Sequence, residues 1–258
     1  VDTGGTYTDA VILEDEERVI AFSKALTTHS DLSLGIGSAI KQAVKQRNTA
    51  PEKISLVSLS TTLATNALVE EQGERVALVM IGFQDSDVEK HSIFDALKGD
   101  PFLVIEGGHN YAGFEKNPLE KNKLSRWISE IKGVSAYAVC SQFAVRNPEH
   151  ELEAAEIIRK LTDKPVSLSH QISAKLNGPK RALTAVLNAR LIALIDVLII
   201  KAEHVIKSQG ILAPLMVVRG DGALISAAQA REKPIETILS GPAASIVGAR
   251  WLTGETEA

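Results

Sequence analysis

The chain has 258 residues, enough for one large domain or two of moderate size with ample core. Hydrophobic residues make up 45% and charged residues 23%, as in an ordinary soluble globular protein, and a formal net charge of −4 leaves no basic footprint for nucleic acid. The single cysteine, Cys140, excludes an internal disulfide and fits a cytoplasmic setting, while the longest apolar stretch, Leu191 to Ile200, is too short to span a bilayer and is broken by Asp196.

The chain opens with Asp2-Thr3-Gly4-Gly5-Thr6-Tyr7-Thr8-Asp9. Paired glycines let a backbone approach phosphate and free N–H groups to donate to it. Thr3, Thr6 and Thr8 add hydroxyls, and Asp2 or Asp9 can hold Mg²⁺, directly or through water. The plainer reading is a hairpin turn, for which Gly-Gly between alternating strands is a common signal. Val1 already lies within a strand too short to pair well, so residues are expected to precede it.

Thr8 to Glu14 and Arg18 to Leu26 read as strands joined by an acidic, solvated turn, and with the opening segment they predict an antiparallel meander. Asp31 to Gln46 is a helix with Ser30 or Asp31 as N-cap. A strand over Ile54 to Leu59 leads to Ser60-Thr61-Thr62-Leu63-Ala64-Thr65-Asn66, placed at the start of a helix running from Thr62 to Gln72. Free N–H groups and the helix dipole suit such a junction to an anion; the alternative is plain capping by Ser60 or Thr61.

Val76 to Ile81 is a buried strand, and Asp85 to Asn117, rich in glycine, is the most irregular stretch. Helices follow over Leu119 to Ile131 and from Asn147-Pro148-Glu149 onward, with strands at Val134 to Cys140 and Pro165 to Ser169. The longest helix runs from Gly178 to Gly210, mainly core, with part of its surface available for a subunit interface. Leu215 to Val218 is a strand ending in Arg219-Gly220-Asp221-Gly222, either a tight turn or a ligand loop at a strand's carboxyl end. Ser240-Gly241-Pro242-Ala243 begins a closing helix, whose N-terminus could receive phosphate or nucleoside or be an ordinary capped start.

Strands alternating with helices make this an α/β protein. In this order, Asp2 to Asp9, Thr61 to Leu68, Asn147 to Glu151, Leu187-Asn188-Ala189, Arg219 with Asp221 and Gly222, and Ser240 to Ala243 resemble the hydantoinase A/5-oxoprolinase family of the actin-like ATPase superfamily. The resemblance spans essentially the whole chain. It implies a ribonuclease-H-like lobe with a mixed sheet and flanking helices, incomplete at both ends. Residues 1–175 are then the N-terminal domain and 176–258 the start of a second, truncated one.

The resemblance also implies ATP with Mg²⁺ and the opening of a cyclic amide of hydantoin or 5-oxoproline type by phosphorylation of its amide oxygen. Carried over, Asp2 and Asp9 sit near Mg²⁺ or the attacking group, and Thr61, Thr62 and Asn66 face the reaction centre. Gly4, Gly5, Thr6 and Thr8 cradle phosphate, with Asp221, Gly222, Ser240 and Gly241 completing the nucleotide site. Implied partners are the cyclic amide, a hydantoinase B-like subunit and further copies of the chain, without nucleic acid or membrane. A small-molecule kinase and a nucleotide-responsive regulatory subunit remain as alternatives.

Two positions depart from the family pattern: Leu59-Ser60 stand where His-Gly is usual, and Ala244-Ser245 where Gly-Gly is usual. No second Asp-x-Gly-Gly/Thr turn occurs, so the chain is expected to hold one half of an ATP cleft and to be inactive alone. Cys140 is expected to be a buried small hydrophobe, His150 to lie in a solvated first helical turn, and His91 and His109 to be candidates for lining a substrate pocket.

Overall fold

The computed structural model describes residues 1–15, 17–70, 73–89 and 92–254. The chain begins with strands β1 (Asp2–Thr3), β2 (Tyr7–Glu14) and β3 (Arg18–Leu26), helix α1 (Leu32–Arg47), β4 (Val57–Thr61) and α2 (Leu63–Val69). It continues with β5 (Val76–Ile81), α3 (Ile93–Leu97), β6 (Phe102–Ile105), α4 (Lys121–Glu130), β7 (Ala136–Ser141), α5 (Glu149–Thr162), β8 (Val166–Leu168) and α6 (Ser169–Ile172). The last part holds α7 (Gly178–Ser208), β9 (Leu215–Val218), β10 (Leu224–Ser226), α8 (Ala227–Glu232) and α9 (Ser240–Thr253). Two compact units result: unit 1 is Val1–Gln72 with Ile195–Ala258, and unit 2 is the intervening Gly73–Leu194.

Unit 1 is built on a sheet of order β10-β9-β4-β1-β2-β3. The expected meander is present: β2 pairs antiparallel with both β1 and β3. β1, β4 and β9 run parallel side by side, so their carboxyl ends share one edge. Asp31 caps α1 by accepting from the Ser33 N–H, and Lys201 binds the same carboxylate, holding it below the usual carboxylate range. Ala10, Ala21 and Ala25 meet Ala39 and Ala43 of α1, small residues that let helix and sheet approach closely. On the opposite face of the hairpin, the cross-strand pairs Tyr7 with Leu26 and Val11 with Phe22 are exposed.

β4 starts three residues later than the sequence suggests and continues through Ser60 and Thr61. The reason is pairing: Asp2 faces Ser60 and Thr3 faces Thr61 on β1, which draws both hydroxyl residues into the sheet. α2 then ends at Val69; the expected continuation through Glu71 and Gln72 falls outside the described residues, as do Glu16 and His91. β10 and α8 fill the stretch after β9 that local pattern leaves blank; Ser226 and Gln229 form a reciprocal capping box there.

Unit 2 is a parallel sheet of order β6-β5-β7-β8. Strand periodicity divides its core in two. Val76, Leu78 and Met80 pack with Ala182, Ala185 and Val186 of α7 on one face, and Ala77, Val79 and Ile81 pack with Leu124, Ile128 and Ile158 of α4 and α5 on the other. β6 lies within the stretch read as irregular, between Pro101 and Gly107.

α7 contributes to both units. It carries a window of mean hydropathy 2.1, long and apolar enough by composition to cross a membrane, a property that the Leu191 to Ile200 stretch alone does not reveal. Val186, Leu191, Ile195 and Leu198 are buried in the protein core, whereas Val197 and Ile200 are exposed.

Candidate functional site

The carboxyl edge of the unit 1 sheet gathers the motifs singled out in the sequence. β1 ends in the Gly4-Gly5 turn, β4 in Thr61-Thr62, and β9 in Arg219-Gly220-Asp221-Gly222. Ser240, at the start of α9, is fully buried against β4: its hydroxyl donates to the Thr61 carbonyl at 2.8 Å and accepts from the Thr61 N–H at 3.4 Å. The Leu239 N–H donates to Thr65 Oγ1 at 2.9 Å. Four segments spread from residue 2 to residue 241 thus meet at one edge.

The Gly4-Gly5 turn is a hairpin turn, closed by the Gly4 N–H donating to the Tyr7 carbonyl at 3.0 Å. It is also open, for a Cβ placed on Gly5 would meet nothing within 4 Å. The chain's own packing does not require glycine there, which leaves the space above the backbone free for a ligand. Thr27 braces the turn from behind, its hydroxyl donating to the Gly4 carbonyl at 2.9 Å. Two buried hydroxyls at this edge have no partner among the described residues: Ser60 Oγ on the face of Asp2, and Thr3 Oγ1 on the opposite face, in register with Thr8 and Thr61. Buried polar atoms are normally satisfied, so the Ser60 hydroxyl points to a missing partner on the Asp2 face.

Register decides which candidates face together. Asp2, Asp9 and Ser60 lie on one face, because Asp2 pairs with both Asp9 and Ser60. Asp9 is bound by Lys24 at 3.0 Å, whereas Asp2 is exposed and has no ion pair among the described residues. Thr8 is not brought to this face. It is fully buried on the α1 side, 3.1 Å from Thr27 Oγ1, where Gly35 makes room for it. Thr61 is also turned inward, its hydroxyl accepting from the Leu63 N–H at 3.1 Å, a local cap. Thr62 and Asn66 remain at the surface, joined by a 3.3 Å hydrogen bond.

The Arg219–Gly222 turn is closed by its own chain. Gly222 has φ +87°, and a Cβ on it would sit 2.8 Å from Val247 Cγ2; one on Gly220 would sit 2.3 Å from the Ile238 carbonyl. Asp221 binds the Arg219 guanidinium and accepts from the Ala223 N–H, and the guanidinium holds its carboxyl below the usual range. Asp221 and Gly222 therefore shape the turn at the edge, with the carboxylate already engaged.

Sequence reasoning missed a buried polar network in unit 2. Glu151 is fully buried and accepts from the Ser141 N–H at 2.7 Å, Ser169 Oγ at 2.6 Å and the His170 N–H at 3.1 Å, with His170 Nδ1 at 2.6 Å. Arg181, buried beside it, donates to Ser169 Oγ and to the carbonyls of Ser141, Lys175 and Leu176. His150 is buried, contrary to the solvated turn expected: it accepts from the Gly108 N–H at 2.8 Å and stacks on His109 with centroids 4.5 Å apart. The first turn of α5 packs under the Gly107-Gly108 loop, which periodicity on α5 alone does not show. Cys140 is buried as expected, its thiol pushed up to about 12 by desolvation.

Comparison with known proteins identifies the family. The model of the hydantoinase/oxoprolinase N-terminal region matches residues 1–162, and the hydantoinase/oxoprolinase model matches 181–258. The chain belongs to the hydantoinase/oxoprolinase family, and the expected α/β fold with mixed sheet and flanking helices is borne out. It is 28% identical to the alpha subunit of the caprolactamase of Pseudomonas jessenii, over 95% of this chain and 38% of that protein. The crystal structure of ATP-dependent caprolactamase from Pseudomonas jessenii superposes with a TM-score of 0.78 at 24% identity, over 95% of this chain and 39% of that one. A nucleotide-free structure of acetone carboxylase, from work on ATP-dependent acetone carboxylation, gives 0.83 at 17% identity, covering 97% of this chain and 39% of that chain. The chain thus spans about two fifths of the length of these relatives.

Proposed function

We propose that this member of the hydantoinase/oxoprolinase family supplies one side of an ATP site in an enzyme that opens a cyclic amide of hydantoin or 5-oxoproline type. The observation that carries the reading is the convergence, at the carboxyl edge of the unit 1 sheet, of an open Gly4-Gly5 turn, the exposed Asp2 and, on the same face as Asp2, the buried Ser60 hydroxyl, which has no partner among the described residues. The relatives named ATP-dependent support the nucleotide, and the caprolactamase supports the cyclic amide.

MgATP bound here would supply the phosphoryl group that turns the amide oxygen into a leaving group and makes the ring carbon a better electrophile. The N–H groups of Gly5 and Thr6 would donate to phosphate oxygens, on a turn that the Gly4 N–H closes against Tyr7 and that Thr27 braces. Asp2, free of any ion pair among the described residues, would be the carboxylate to hold Mg²⁺, since Lys24 already neutralises Asp9. Thr62, half-buried, and Asn66, exposed, lie beside the strand ends and would orient the reacting group. A partner subunit of hydantoinase B type is part of the proposal, supported by the subunit status of the caprolactamase relative, and so is a cytoplasmic location.

Calorimetry of MgATP binding to the full-length protein and to its Gly5→Val variant tests the site. The expected result is an unchanged fold with affinity weakened at least about tenfold, since a side chain would fill the phosphate space. Equal binding by both would remove the basis of the proposal. Lactam-dependent ATP hydrolysis without a stable phosphorylated product distinguishes ring opening from simple kinase action.

A further inference from the structure

Unit 2 has a crevice of its own. From β5 the chain goes to β6 on one side and then returns to β7 on the other, so the direction of winding reverses between β5 and β7. In open parallel sheets such a reversal leaves a cleft outside the strands' carboxyl ends, where ligands sit. The residues leaving β5 and β7, Phe83 and Gln142-Phe143, meet the start of α7 there. They enclose a cavity of about 330 Å³ with Leu176, Gly178 and Pro179, the size of a small-molecule site.

Three observations define what fits. Gln142 is clamped through its backbone, its N–H donating to the Ile81 carbonyl at 2.9 Å and its carbonyl accepting from the His109 N–H at 3.1 Å. Its carboxamide, half-buried and lining the cavity, has no hydrogen bond among the described residues. Phe143 holds φ 55°, a left-handed conformation that bulky residues rarely adopt and that recurs at functional sites. Phe83 closes the other side, packed on Gly178 where any Cβ would sit 2.4 Å from the ring.

Among the described residues no lysine, arginine or histidine lines the cavity, and the charged residue that does, Asp87, accepts from the Gln84 N–H at 2.9 Å. No described side chain there offers an ion pair to an anion. A primary carboxamide presents a donor and an acceptor side by side, which complements an amide held cis, with N–H and C=O on one edge. Ordinary peptide bonds are trans and cannot offer that edge; a small ring enforces it.

From this geometry we infer that the unit 2 crevice binds a small, uncharged ring with a cis-amide edge, read by the Gln142 carboxamide and flanked by Phe83 and Phe143. Two sources share that chemistry, a lactam or hydantoin ring and a pyrimidine base. The choice of a lactam rests on the proposed function; the crevice itself uses no residue of unit 1.

The test is calorimetric titration of the chain, without nucleotide, using δ-valerolactam, hydantoin and uracil, with δ-valerolactone as the ring lacking N–H. At least one amide ring is expected to bind saturably, at least about tenfold more tightly than the lactone and than to the Gln142→Leu variant. That variant should keep its melting temperature, because the carboxamide bonds nothing in the fold. Preference for lactam and hydantoin assigns the substrate source, and preference for uracil the nucleobase source. Equal binding of the lactone, undiminished binding by Gln142→Leu, or no saturable binding of any ring overturns the inference. Because nucleotide is absent, such a failure leaves the phosphate turn of unit 1 untouched, and a failure of MgATP binding leaves the crevice standing.

Discussion

The Glu151 network of unit 2 and the open turn of unit 1 use polar residues in opposite ways, although unit 2 too has buried atoms without a partner among the described residues, Ser141 Oγ and both ring nitrogens of His109. In unit 2, Glu151, Arg181, Ser169 and His170 are closed into a buried network in which the carboxylate accepts four hydrogen bonds. In unit 1, Thr3 and Ser60 keep unpartnered hydroxyls, Asp2 lies open, and the Gly4-Gly5 turn has space above it. The contrast separates polar groups that hold a fold from those that await a ligand: the first should cost stability when changed, the second should cost binding.

The largest expected effect follows from the sealed side. Glu151→Gln replaces an acceptor of four hydrogen bonds by a group that cannot accept them all, and should lower the unfolding free energy by about 3–5 kcal/mol in urea denaturation. Full stability of this variant would erase the contrast. Next comes Gly220→Ala in unit 1, where the added Cβ would meet the Ile238 carbonyl at 2.3 Å. Overpacking against backbone should cost about 1–3 kcal/mol, which makes this turn structural despite its place at the candidate site.

A smaller, pH-dependent effect belongs to His109. Burial, then the nearby His150, pushes its imidazole below 6.5, against the opposing pull of Glu149 and Glu115. The unfolded chain therefore binds more protons than the folded one as pH falls below 6.5, so stability is full above that value and declines beneath it. Urea midpoints compared above and below that pH should fall less steeply in His109→Leu than in the parent. An identical slope would show that His109 does not titrate with folding.

The smallest stability effect is expected for Gly5→Ala, within about 0.5 kcal/mol of the parent, since the new Cβ touches nothing. If that variant melts well below the parent, the turn is structural and the comparison with the Glu151 network fails. Cys140 gives a final check on the sealed unit. With its thiol fully buried and pushed up to about 12, it should resist thiol reagents until denaturant is added.

Much of the fold could be read directly from local pattern. Val76 to Ile81 is a strand with the bounds its apolar run predicts, Asp31 caps α1, and Gly178 begins the longest helix. β6 escaped because it lies between Pro101 and Gly107 in a glycine-rich stretch, β10 because it follows the Arg219–Gly222 turn directly, and the Glu151 network because its members are spread from Ser141 to Arg181. At the candidate site, the glycine turn and the motif order were legible, but the roles of individual side chains were not. Thr8 and Asp9 are neighbours in sequence and lie on opposite faces of β2, one sealed under α1 and one beside Asp2.

The sequence by itself determined the α/β alternation, the main helices and strands, and the family, because each rests on periodicity, capping or motif order along a continuous stretch. Only the tertiary structure decided which hydroxyls are spent on capping, that His150 is buried, and that Gln142 lines a cavity. Those outcomes depend on contacts such as Ser240 with Thr61, 179 residues apart, and on strand register, which assigns every second side chain to one face or the other.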